Sequence, residues 1–224
     1  MAAQAAMKKK FLLRYKKPAR VLVLVLALAA ISAPALIVGL SPGGFSNVSF
    51  SALRVLGLYA FTLLFMSIVT GAARTQFYMI FRPKRVYNFH IAAGVLGFGF
   101  ALAHGVIVLV TKHYVGHSGI WVIGPVTLGL LVLTIYVAFD KRRLAHVWRA
   151  IHIINYAIFV GIFIKAMTIG TDVRTIDTTA HVMRVIMVAY VVIAAGAVGL
   201  RLRGIAERRN RARGKEEHGR IATD

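Results

Sequence analysis

The chain has 224 residues, of which 58% are hydrophobic and 16% charged, with a mean hydropathy of +0.73. Soluble domains carry fewer apolar and more charged residues, so this composition excludes an ordinary soluble domain. The net charge is +21 and cysteine is absent, which excludes disulfides, thiolate zinc sites, cysteine-ligated iron–sulfur clusters and heme attached through thioethers.

A membrane-crossing helix needs about 20 mainly apolar residues. Residues 21–40 qualify without a charge, and residues 55–73 follow with Arg54 at their mouth. The run 91–111 is interrupted only by His104, and 120–139 is clean. Residues 151–171 carry Lys165 late in their length, and 185–200, with a start as early as Thr179, complete six. In lipid the backbone must satisfy its own polar groups, and no period-2 pattern argues for a barrel. The predicted fold is therefore all-α, an integral membrane six-helix bundle. Residues 1–20 form a basic N-terminus, 21–200 the transmembrane domain and 201–224 a basic tail. The first apolar run is too long for a cleaved signal peptide, so it is expected to stay as a span.

The cations set the orientation. Of 28 Lys and Arg residues, 23 fall in the segments 1–20, 74–85, 141–149 and 201–220. All four segments lie on one side of a six-span chain. The positive-inside rule places that side, and both termini, in the cytoplasm. The excess charge is then accounted for by topology, and the tail is expected to meet anionic lipid head groups rather than nucleic acid.

Two motif matches carry little. Asn47-Val48-Ser49 is a sequon, and Gly94, Gly97 and Gly99 are spaced wrongly for a dinucleotide loop, so close helix packing explains them better. With no nucleotide-binding segment, electrons handled by this chain must come from a partner.

The histidines carry the chemistry. His90 and His104 lie fourteen residues apart in the third span, so they fall within about 40° of the same face and about 21 Å apart along the axis. The fifth span opens with Trp148, Arg149 and His152. His90 and His152 are thus expected at one depth, near the cytoplasmic leaflet, on two parallel helices. Facing neutral imidazoles in a bundle core are the usual way to hold heme b without cysteine. A histidine in a span can also bond a neighbouring carbonyl or mark a proton path. Gly94, one turn after His90, offers room for the macrocycle, and Arg149, Arg85 or Arg74 offers charge for its propionates.

Here the chain resembles the ferric reductase-like transmembrane family. The resemblance rests on six helices, His90 with Gly94 and His104 in the third, and Trp148, Arg149, His152 and Tyr156 in the fifth. That family includes the heme core of NADPH oxidases and ferric reductases, and short bacterial members such as the membrane heme subunit of a methionine sulfoxide reductase system. It implies electron transfer across a bacterial inner membrane through one or two b-type hemes. One departure stands out: Lys165 occupies the place where the family's fifth helix carries a second histidine. Thirteen residues after His152, it does not share that residue's face on an ideal helix. His104 keeps the family position, so two hemes are expected slightly ahead of one, with Lys165 as ligand of the outer heme or partner of an anionic group. The alternative is that Lys165 merely reaches to the interface and the outer heme is absent.

The favoured expectation is a cytochrome that takes electrons from a cytoplasmic flavoprotein or quinol and delivers them to an acceptor or redox partner outside. Quinone or flavin at an edge completes the cofactor expectations. A b561-type cytochrome would need ligands on four consecutive helices, which this sequence cannot supply. A non-redox transporter or scaffold is the third alternative. Arg54, His113, His117, His181 and Arg184 fall on the outer side, where Arg54 is a candidate for a propionate or another anionic group.

Overall fold

The computed structural model describes residues 2–111, 119–140 and 142–221. Helix α1 (Ala2–Leu40) runs unbroken from the basic N-terminus through the first apolar run, with Pro18 and Pro34 inside it. It stops at Ser41, and Gly43 and Gly44 adopt φ of 82° and 42°. That left-handed region is one glycine enters at little cost. Asn47 then caps α2 (Val48–Ala72), its side-chain oxygen accepting the Phe50 N–H at 3.0 Å. The sequon asparagine is thus a helix cap.

A short α3 (Arg74–Ile80) leads to α4 (Pro83–Val110), which opens with proline in its first turn, where the missing N–H costs nothing. A 3₁₀ turn (Gly119–Val122) precedes α5 (Ile123–Phe139), followed by α6 (Trp148–Ile169), a single turn α7 (Thr171–Arg174) and α8 (Thr178–Ile221). Asp177 caps α8 by accepting from the Thr179 hydroxyl and from the Ala180 N–H at 2.8 Å. The Thr175 and Thr179 hydroxyls and that N–H hold its carboxyl well below the usual carboxylate range. No strand occurs among the described residues.

Six helices are long and apolar enough to cross a membrane, namely α1, α2, α4, α5 with its 3₁₀ lead-in, α6 and α8. This is a multi-pass helical membrane protein. Its outward side chains are apolar: Leu28 is 67% exposed and Val185 69%, which suits contact with lipid. Helices α2 and α4 begin seven and eight residues before the apolar runs used to predict them. Hydropathy marks the lipid-embedded stretch, whereas Asn47 and Pro83 set the helix starts.

The arrangement is a ring with two outer supports. Helices α2, α4, α5 and α6 neighbour one another in that order, and α6 closes back on α2. Helix α4 therefore faces α6 diagonally. Helices α1 and α8 pack against the outer side of α2. Lipid gives no hydrophobic drive for helix pairing, so close fit and small residues must supply it. A Cβ on Gly97 would lie 3.2 Å from the Leu64 backbone, and one on Gly161 would lie 3.1 Å from Thr127. Aromatic rings complete the core: Phe65 stacks on Tyr190 at 4.0 Å and Phe61 on Phe159 at 4.7 Å, joining α2, α8 and α6.

Candidate functional site

The four-helix ring carries polar groups in two layers. The layer nearer the termini contains His90 and His152. Their ring centroids are 5.9 Å apart at an interplanar angle of 77°. His90 sits two turns into α4, and its Nδ1 lies 2.8 Å from the Ser67 carbonyl oxygen of α2. A carbonyl can only accept, so Nδ1 carries the proton, and in the neutral ring Nε2 keeps its lone pair. The Ser67 hydroxyl lies 3.2 Å from the same ring nitrogen.

His152 is held by its own helix. The Asn155 amide nitrogen is 3.3 Å from His152 Nδ1, and the Asn155 oxygen accepts from the Thr134 hydroxyl of α5 at 3.0 Å. Trp148 packs one turn away, with its ring 5.0 Å from the imidazole. Beside this layer, Arg201 of α8 donates to the Tyr156 hydroxyl at 2.9 Å. A cation thus stands near His152 from a helix that sequence reasoning did not connect with it.

The second layer, toward the opposite end, repeats the first on α4. His104 Nδ1 donates to the Leu53 carbonyl of α2 at 2.9 Å. A cradle accompanies each ring: a Cβ on Gly71 would sit 3.0 Å from His90 Cε1, and one on Gly57 would sit 3.0 Å from His104 Nδ1. Carbonyl and glycine are four residues apart in both cases, Ser67 with Gly71 and Leu53 with Gly57. The two glycines are separated by fourteen residues, as are the two histidines. An antiparallel helix with the same spacing meets both rings in register.

The other side of the second layer differs. Helix α6 is continuous through Lys165, so the irregularity needed to turn this residue onto the His152 face does not occur. Lys165 instead leans on α5, where a Cβ on Gly124 would lie 2.5 Å from Nζ. Its long side chain is still within electrostatic reach of the His104 ring.

Of the remaining sequence candidates, Gly94 stands at the first layer: a Cβ there would lie 3.2 Å from the Ser67 hydroxyl, the same hydroxyl that lies beside His90 Nδ1. Arg54 is committed elsewhere: its Nε donates to Asp172 at 2.7 Å and a terminal nitrogen donates to Ser41 Oγ at 2.7 Å. Arg54 and Asp172 are 8% and 10% exposed, a buried ion pair capping the end away from the termini. Arg184 is engaged with the Ala180 and Thr175 carbonyls, and His181 is exposed. His113, His117 and the Arg149 side chain lie outside the described residues.

Chemically, the first layer brings two imidazole rings into an edge-type contact across the ring of helices, 5.9 Å between centroids. Among the described residues no group of three or more His, Cys, Asp or Glu could hold a metal ion. Comparison of the chain with protein-family models, curated proteins and solved structures returns no match.

Proposed function

We propose that this protein is a transmembrane b-type cytochrome of the ferric reductase-like kind, in which His90 and His152 would hold one heme. The observation that carries this reading is the facing pair, 5.9 Å between centroids, with His90 Nδ1 donated to a backbone carbonyl. Metal-ligating histidines ordinarily spend their second nitrogen in this way, which fixes the tautomer and aims the ring. Two protein donors suffice when a macrocycle supplies the other four positions. A heme with both axial sites filled exchanges electrons and leaves no open position for a substrate.

The chain's own residues do the rest. Ser67 and Gly71 orient His90, Trp148 packs on His152, and Arg201 supplies positive charge for carboxylates at the layer's edge. His152 presents a lone pair at Nε2 when the Asn155 amide is turned so that its oxygen accepts from Nδ1–H and its nitrogen donates to the Thr134 hydroxyl, whose own proton goes to the Leu131 carbonyl. Lys and Arg are concentrated at the end bearing the termini, so this end faces the cytoplasm under the positive-inside rule. A cytoplasmic flavoprotein or membrane quinol donates there, and the acceptor or redox partner lies on the far side of a bacterial inner membrane.

The test is optical. His90→Ala and His152→Ala should each abolish a reduced b-type spectrum while the protein still inserts at the parental level, because insertion rests on the apolar spans. Heme content equal to the parent in either variant overturns the assignment.

A further inference from the structure

Thr134 of α5 is 3% exposed, and its hydroxyl touches two groups at once. The Leu131 carbonyl oxygen of its own helix lies 2.9 Å away, and the Asn155 amide of α6 lies 3.0 Å away. A hydroxyl has one proton and two lone pairs. The carbonyl can only accept, so the proton goes to Leu131. Thr70, Thr127 and Thr168 spend their protons in the same way, on carbonyls four residues back in their own helices. What Thr134 turns toward α6 is therefore a lone pair, and a lone pair calls for a donor.

The Asn155 amide answers this with its nitrogen. The two ends of a side-chain amide are alike in shape, and the bonds they make decide which is which. With the nitrogen on Thr134, the amide atom 3.3 Å from His152 Nδ1 is the oxygen. Oxygen only accepts, so Nδ1 carries the proton and Nε2 keeps its lone pair. In the opposite orientation one Thr134 proton serves two acceptors, Asn155 donates to Nδ1, and the His152 proton moves to Nε2. That ring has no lone pair to offer at Nε2. His90 runs no such risk, because its acceptor is the Ser67 backbone carbonyl at 2.8 Å, which cannot turn. A side-chain amide can turn, so only His152 needs its acceptor locked from another helix.

We propose that Thr134 is a positioning residue that holds His152 in the Nδ1–H tautomer by fixing the direction of the Asn155 amide between them. The purpose of the lock, a lone pair at Nε2, rests on the cytochrome reading, while the tautomer itself exists without heme.

The experiment uses the full chain in detergent, labelled with nitrogen-15 in its histidine rings and produced in a heme-deficient host. Spectra are taken at about pH 8, where an ordinary imidazole is neutral, and the His152 signals are those absent from His152→Gln. The parent is expected to show its proton on Nδ1. Thr134→Val keeps the shape and removes the lone pair, so the amide is released and a second population with the proton on Nε2 appears. Hemin titration of the same samples should show binding weakened roughly fivefold to a hundredfold, the range for a buried N–H left without an acceptor. Thr134→Ser should restore both the tautomer and the affinity. Asn155→Leu, which removes the acceptor itself, is expected to lose the fixed tautomer and keeps the test decisive if Thr134→Val inserts poorly. A parent protonated on Nε2 overturns the proposal. So does a Thr134→Val spectrum with the parental tautomer, even with heme binding reduced, because Thr134 would then be merely structural. A tautomer that changes in Thr134→Val, with no heme bound by any preparation, would support the lock while overturning the cytochrome reading.

Discussion

Gly71 decides where the His90 ring stands. Its missing side chain lets the imidazole lie against α2, with Cε1 at 3.0 Å from the position a Cβ would take. Gly71→Ala therefore forces the ring or the helix to move. Overpacking of this kind costs about 1–3 kcal/mol, which corresponds to a loss of heme affinity of roughly fivefold to a hundredfold. Gly57→Ala, at the His104 cradle, should leave the inner heme untouched. Heme titration of the two variants, followed in the optical spectrum, checks the contrast, and equal affinities would count against the cradle. Neither glycine was singled out from the sequence, although their spacing of fourteen residues equals that of His90 and His104 and is the signal that could have found them. Ser67, Leu53 and Asn155 leave no such signal: a backbone acceptor has no residue signature, and Asn155 gains meaning only once Thr134 of α5 stands beside it.

At the scale of elements, α2 is the organising helix. It supplies both carbonyls and both glycine cradles to α4, and its aromatic residues stack toward α6 and α8. Its far end is locked by Arg54, which ties α2 to Asp172 of α7 and to Ser41 after α1. Breaking a buried ion pair from one side strands a charge, at a cost of about 3–5 kcal/mol. Asp172→Asn is expected to lower the unfolding midpoint in detergent accordingly. The double variant Arg54→Leu with Asp172→Leu should recover much of the loss, since no charge is left unpaired. A double variant no more stable than Asp172→Asn would show that geometry, rather than charge pairing, holds this corner. The proposed propionate role of Arg54 is weakened by the same geometry, because its donors already serve Asp172 and Ser41.

Across the whole molecule, six spans bring both termini to one end, and that end carries 23 of the 28 Lys and Arg residues. Tags at either terminus should be reached by protease only from the cytoplasmic side of inverted vesicles. Delivery of electrons from a soluble flavoprotein should slow as salt rises, because the Debye length falls from about 10 Å at 0.1 M to about 3 Å at 1 M. A rate indifferent to salt would argue for membrane quinol as the donor instead.

The sequence by itself determined the helices and how many cross. Hydropathy is a local sum, and every residue needed for it lies within one run of about 20. It also showed that His90 and His104 share a face, because a helix converts spacing into direction. Which helices neighbour one another was settled only by the tertiary structure. The diagonal placement of α4 and α6 within a ring closed by α2 and α5 brings His90 to His152. The same packing turned Lys165 toward Gly124 of α5 and paired Arg54 with Asp172, 118 residues away. Such contacts depend on the rotation and register of whole helices against one another. Close packing fixes those quantities, and no single apolar run encodes them.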